Sequence, residues 1–439
     1  MEYKLLARYP IGNPRRVWRQ DNYTLSLSSP TIMSLEPTNE LSSRKTRRAV
    51  KTAIDAGFDL LGCLWAHSDV AMDIVRAAEM YGGKVLFQDL LRFGGMGANP
   101  PHCQANDYEG AIRDTAKWKS IAGYIMYDEP LLDQDLETTR RMIDYCERVR
   151  PDLLPYTVAN PNGHRLCHWK DNAYVPYVKK FIDVIDPVQM DFDAYPIGAG
   201  ENYSDLEQLD NSSFWAGLEV VRRAAAEKEI PFWFYYQGQH FPWHKGKYVF
   251  TPAKERAMAF AGVLHGAKAL SCYIEFDGFV DPKTGGRGRH FADQKRLNDD
   301  LHALGNTLMA LSCQRVIHDE GLAPNHPAME GYRTPLAESE LLDAEKPLPR
   351  RISVSEHVDA YGNQYLMVYN RDYVSEANIS LNLKQASHVF EVSKEDGEQY
   401  FEYEKATYLP VTLAPGDLAF YRIQPATEAP FTVEYYLDK

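Results

Sequence analysis

The chain has no long basic run. Lysine and arginine number 48 against 61 acidic residues, a formal charge of −13 over 439 residues. A nucleic-acid binder carries a basic stripe, so that class is not expected. The acidity bears on solubility rather than on fold. No stretch approaches the roughly 18 apolar residues of a membrane span, and no membrane partner is expected. Metal-type cysteine spacing is also missing. The six cysteines, at 63, 103, 146, 167, 272 and 313, form no Cys-x-x-Cys pair. Most lie in apolar runs, which predicts buried free thiols and a reducing compartment. His164, Cys167 and His168 cluster loosely, without the spacing of a structural zinc site. No metal and no cofactor is expected. The first residues, Met1 to Pro10, contain no apolar h-region and no small-residue cleavage site, so the expected location is cytoplasmic.

What is present is ordinary globular composition, 44% apolar and 25% charged, with many aromatics: 28 Tyr, 18 Phe and 7 Trp. Such rings serve either as core or as platforms for sugar C–H faces. From about residue 30 to 313, eight apolar runs alternate with helix-period segments. The runs are 31–36, 59–66, 84–90, 121–129, 154–160, 188–195, 231–237 and 269–275. This alternation predicts βαβ units and a parallel sheet. Eight units at a near-regular period favour a closed (β/α)8 TIM barrel. An open doubly wound sheet would carry a Gly-rich phosphate loop after its first strand, and none is found. The expected domains are a barrel with an N-terminal extension over 1–313, a connecting segment over 314–349, and a small antiparallel β-sandwich over 350–439. In the last of these, short runs such as Gln364–Asn370 alternate apolar with polar residues.

Barrel enzymes keep their active sites at the C-terminal ends of the strands. Those ends present Glu36, Trp65, His67, Gln88, Asp89, Asp128, Glu129, Asn160, Asp191, Asp193, Tyr195, Gln237, His240, Glu275 and Asp277. The step Tyr127-Asp128-Glu129-Pro130 is the most informative. Seven largely apolar residues lead into two adjacent acids, and a proline then ends the strand. Two acids at the end of a buried strand are costly to desolvate without partners or a task. Neighbours on a strand point to opposite faces, so one acid is expected to face the cavity and the other to brace the wall.

The chain resembles the barrel glycosidases of clan A, and a set of bacterial sugar-related barrel proteins within that likeness. The resemblance rests on Gly123-Tyr-x-x-x-Asp-Glu-Pro130, Asp193-Ala-Tyr-Pro196, the aromatic run Phe232 to Gln237, and the segment from Arg256 to Gly266-Ala267. It spans roughly 30–423 and implies a glycoside hydrolase with Glu129 as general acid/base. One departure matters: clan A places its nucleophilic Glu at the end of the seventh strand, where this chain has Gln237. The second acid is then Glu275, or Asp191 or Asp193. In a further scheme Asp128 and Glu129 act as in substrate-assisted hexosaminidases, with no protein nucleophile. Trp65, Tyr195, Tyr236 and Trp243 are expected to stack on sugar rings, and His67, Asn160, Gln237 and His240 to hold hydroxyls. The expected partner is a carbohydrate, with homo-oligomer formation left open. The competing readings are a non-catalytic carbohydrate-binding barrel and a metal-dependent hydrolase. The latter lacks its His-x-His on the first strand.

Overall fold

The computed structural model of the protein describes residues 2–8, 12–13, 16–30, 38–94, 107–161, 173–197, 205–211, 213–239, 250–273, 278–322 and 331–437. A leading strand, β1 (Glu2–Arg8), precedes eight parallel strands. These are β2 (Thr24–Leu27), β3 (Leu60–Gly62), β4 (Lys84–Phe87), β5 (Ile121–Asp128), β6 (Leu154–Ala159), β7 (Met190–Asp193), β8 (Phe232–Gln237) and β9 (Ala269–Tyr273). They close a barrel in chain order, with Leu25 of β2 opposite Leu270 of β9. The expected barrel is therefore present, with one correction. Its first strand is Thr24–Leu27, whereas the run 31–36 lies outside the described residues. Thr24-Leu-Ser-Leu27 is too short and too polar to stand out as an apolar run.

Strand parity sorts the side chains into two layers. Phe232, Phe234 and Tyr236 of β8 pack outward, in the core shared with the helices. Trp233 and Tyr235 point inward, with Tyr156 and Val158 of β6 and Tyr273 of β9. Gly123 lets β5 approach β6, since a Cβ there would collide with the Leu154 carbonyl and side chain. Several helices start where a side chain satisfies a free N–H group of the first turn. Thr251 Oγ1 accepts from Lys254 N at 3.3 Å, and Pro252 occupies the first helical turn of Pro252–Leu264.

The C-terminal module contains β10 (Ser312–His318), β11 (Ile352–Val358), β12 (Gln364–Asn370), β13 (Ala377–Val392), β14 (Gln399–Leu413), β15 (Leu418–Pro425) and β16 (Phe431–Leu437). The first six form an antiparallel sheet ordered β10-β11-β12-β15-β13-β14, and β16 pairs in parallel with β1. The sheet thus begins at Ser312, inside what the sequence pattern assigns to the barrel and to a connecting segment. Its first strand alternates exposed and half-buried residues before turning fully buried. Register shifts between Asn382 and Phe390 fall where the 16-residue β13, paired with β14 along its length, also gains β15 as a neighbour. All six strands contribute to one apolar cluster around Val354, Val368, Val389 and Ile423.

Against the barrel, Tyr369 donates to the Ala257 carbonyl at 2.8 Å, and Arg351 pairs with Asp210 at 3.1 Å. Cys63, Cys146, Cys272 and Cys313 are free thiols, as their apolar settings predict. Among the described residues no helix is long and apolar enough to cross a membrane.

Candidate active site at the barrel mouth

Two residues at the C-terminal mouth of the barrel adopt left-handed backbone: Trp65 at φ 54° and Glu129 at φ 52°. Neither is glycine, and such a conformation costs on the order of 1–3 kcal/mol. The surroundings hold both in place. Trp65 N donates to Gln88 Oε1 at 2.9 Å. The Glu129 carbonyl accepts from Asn160 Nδ2 at 2.6 Å, and the next carbonyl, of Pro130, accepts from the Tyr177 hydroxyl at 3.0 Å. That hydroxyl also accepts from Asn160 N at 2.9 Å, so Asn160 and Tyr177 together clamp the end of β5.

The clamp delivers the Glu129 carboxyl to the strand-six acids. Burial pushes the Glu129 carboxyl well above its usual range, and the charge of Asp193 and a hydrogen bond to it push the same way. The bond acts in the opposite direction on Asp193, so the two carboxyls share one proton as a coupled pair. Asp193 still rises to about 7, chiefly by burial and then by the charge of Asp128. Asp128 lies well above its ordinary value through burial and the Glu129 charge, offset in part by the Trp65 indole. Three carboxyls therefore share one pocket in which burial and mutual charge favour their acid forms, because adjacent carboxylates cannot all ionise in a dry site.

Asp191, although also inward-facing, belongs to the wall. One oxygen accepts from the Tyr156 hydroxyl and the other from Phe192 N at 2.7 Å. Burial lifts it to about 7, with these two bonds opposing the rise. Tyr195 lies at the rim, its ring 4.9 Å from that of Tyr273.

Several expected binding residues serve other purposes. Tyr236 faces the helix layer, where its hydroxyl accepts from Gln294 Nε2 at 3.2 Å. The inward aromatic of β8 is its neighbour Tyr235, a one-residue parity slip. Gln237 is fully engaged in tying two loop segments. Its Oε1 accepts from Ile197 N at 3.0 Å, and its Nε2 donates to the carbonyls of Ile197 and Gln239 at 2.9 Å each. His67 caps the helix Ser68–Tyr81 by accepting from Asp69 N at 3.2 Å. Asn160 holds the Glu129 carbonyl through its amide nitrogen, while its side-chain oxygen has no partner. Glu275, His240 and Trp243 lie outside the described residues. Tyr156, Tyr235 and Tyr273 were not among the expected site residues, yet they share inward parity with the acids, which is the signal that finds them. Among the described residues no group of three or more His, Cys, Asp or Glu side chains could hold a metal ion.

The fold is a (β/α)8 barrel followed by an antiparallel sheet module. No family model matches the chain, and no curated protein matches it. Solved structures do. A GH27 β-L-arabinopyranosidase from Geobacillus stearothermophilus superposes with a TM-score of 0.51 at 10% identity, covering 93% of this chain and 98% of that one. A Bacteroides fragilis protein provisionally assigned as an alpha-galactosidase superposes with a TM-score of 0.51 at 12% identity, covering 92% of this chain and 79% of that one. At such identities the likeness establishes the shared fold.

Proposed function

We propose that the protein is a glycoside hydrolase in which Glu129 donates the proton to the departing glycosidic oxygen. The observation that carries this reading is a carboxyl on a strained backbone, beside Asp193 at the barrel end where such enzymes work, where burial and the Asp193 charge favour its acid form. The fold it shares with glycosidases of known structure supports the same class.

Asp193 fits poorly as a nucleophile. Retaining pairs stand about 5–5.5 Å apart and inverting pairs about 6.5–9.5 Å, whereas Glu129 and Asp193 are in hydrogen-bond contact. Its role in this proposal is to keep Glu129 protonated. The second acid proposed is Glu275, which follows Tyr273 by two positions in the sequence. A reducing, cytoplasmic setting belongs to the same proposal and is supported by the four free thiols.

The test is a panel of aryl glycosides with graded leaving groups, assayed with the protein and with Glu129→Gln. General acid catalysis contributes about 10²–10⁴-fold, so the variant should lose that much on poor leaving groups and far less on dinitrophenyl glycosides. Equal rates from both proteins on poor leaving groups would remove Glu129 from the role. Silence from both across the panel would favour the binding-barrel reading.

A further inference from the structure

Among the described residues, the three carboxyls at the barrel mouth have no counter-cation. The charges of described residues acting on Asp128, Glu129 and Asp193 come from one another and from Asp191, and no described lysine, arginine or histidine contributes to any of the three. Some buried acids elsewhere are matched by cations, although Glu255 is not. Glu219 is bound by both Arg222 and Arg223 at 2.7 Å, and Asp319 pairs with Arg371.

A second observation concerns hydrogen-bond capacity. Asp193 Oδ1 and Asn160 Oδ1 are both buried, and neither has a donor. The Asn160 amide is not reversible: its nitrogen must face the Glu129 carbonyl, which leaves its oxygen as the unused atom. Buried acceptors without donors are costly, so the pocket asks for a ligand rich in N–H or O–H groups. The third feature is aromatic. Tyr195 and Tyr273 lie with ring centroids 4.9 Å apart at the rim, and Tyr235 is 6.3 Å from Tyr273. Ring faces beside carboxylates are the usual surroundings of a bound ammonium. A metal ion would need converging ligands, and no such group exists among the described residues.

We propose that the site takes a glycoside of an amino sugar, with its ammonium seated between the Asp128 and Asp193 carboxyls and against the Tyr195–Tyr273 rings. This rests on the glycosidase reading and adds the substrate class to it. The ammonium supplies three donors, to Asp193, Asp128 and the Asn160 oxygen, and replaces the protons that the carboxyls otherwise hold. Binding therefore releases protons to solvent. Among the described residues, the titratable groups that face the amine are Asp128 and Glu129 from β5, Tyr156 from β6, Asp191, Asp193 and Tyr195 from β7 and its end, Tyr235 from β8, and Tyr273 from β9. Burial pushes the Tyr156, Tyr195 and Tyr235 hydroxyls up, so they stay neutral while the acids titrate.

The experiment is calorimetry on the full chain with three methyl glycosides: the 2-amino, the 2-acetamido and the 2-hydroxy sugar, in gluco and galacto configurations. In at least one configuration the amine should bind ten-fold or more tighter than both neutral forms. Its binding heat should vary with the ionisation enthalpy of the buffer, as proton release requires. Asp193→Asn and Asp128→Asn, each checked for native thermal unfolding, should bring the amine-to-hydroxy ratio close to one. Equal or weaker binding of the amine, no amine binding at all, or an unchanged ratio in both variants would overturn the proposal. Hydrolysis of the matching nitrophenyl glycosides separates the two readings. Cleavage of neutral sugars without amine preference sinks the amino-sugar assignment alone. Amine preference without any cleavage supports that assignment and sinks the hydrolase reading.

Discussion

Asn160 donates its side-chain N–H to the main-chain carbonyl of Glu129 at 2.6 Å, reaching across 31 positions of sequence from the end of one barrel strand to the end of the next. The bond orients a backbone rather than a reacting atom, so Asn160 is a positioning residue. Asn160→Ala leaves the Glu129 carbonyl without its donor and lets the left-handed turn relax. A lost buried hydrogen bond costs about 1–3 kcal/mol. On neutral glycosides, which offer no ammonium to the Asn160 oxygen, we expect kcat to fall by about 10–100-fold with KM nearly constant, since the loss falls on the proton-transfer geometry. Steady-state kinetics alongside thermal unfolding decide it: a stability loss with unchanged kcat would mean that the clamp serves the fold alone.

Glu129 itself stores strain. Its φ of 52° suits glycine, and its carboxyl is held where burial opposes ionisation. Glu129→Gly should abolish turnover of glycosides with poor leaving groups. The same substitution should stabilise the fold by about 1 kcal/mol, the cost of left-handed backbone at a residue with a Cβ. Chemical denaturation at pH 7 provides the measurement. A destabilised Glu129→Gly protein would show that the side chain contributes more packing than its backbone costs.

Asp193 couples activity to pH. Its pKa of about 7 in the folded chain lies above the ordinary carboxylate value of 3.8. Between those values the folded state binds more protons than the unfolded one, so this group's contribution to stability is full below about pH 4 and is lost as pH rises through 7. Asp193→Asn removes that loss, and the variant should gain stability relative to the parent at pH 7.5 but not at pH 4.5. It also removes the charge that helps keep Glu129 protonated. The basic limb of kcat/KM should therefore move to lower pH by roughly one unit. A pH–rate profile with its basic limb unmoved would separate Asp193 from the Glu129 proton.

The barrel was legible because each wall strand is buried on both faces and reads as a nearly continuous apolar run, as Tyr124-Ile-Met-Tyr127 and Phe232-Trp-Phe-Tyr-Tyr236 show. Thr24–Leu27 escaped notice because four alternating residues carry little periodic signal. The C-terminal strands alternate, and so they were visible too. The acids of the site were legible from position, since Asp128 and Glu129 end a buried strand and Asp193 ends another. Roles were harder to read, because parity decides them. Tyr236 and Tyr235 are equivalent in composition and opposite in direction. The engagement of Gln237 with Ile197 and Gln239, and that of His67 with Asp69, are contacts to backbone that no residue type announces. The left-handed backbone of Glu129 was likewise invisible, since Glu is not a residue that advertises it.

The seam between barrel and sheet makes the opposite pH prediction. His265 is fully buried, its Nδ1 is 2.8 Å from the Ala261 carbonyl, and its Nε2 has no partner. The ring must then donate through Nδ1 and keep Nε2 as a bare lone pair. Protonating that atom would create a buried N–H with no acceptor. Burial accordingly lowers the His265 pKa to about 4, and His318, 6.0 Å away, is lowered too, by burial and then by Arg371. The unfolded chain takes up the His265 proton near pH 6.5, while the folded chain resists until about 4. Stability from this group is present above pH 6.5 and is lost as pH falls towards 4. The urea midpoint should therefore drop across that window. In His265→Phe, which keeps the ring contact with Trp215, the drop should be shallower by on the order of 1–3 kcal/mol. Parallel acid titrations of stability in the parent and in His265→Phe would place the acid sensitivity elsewhere.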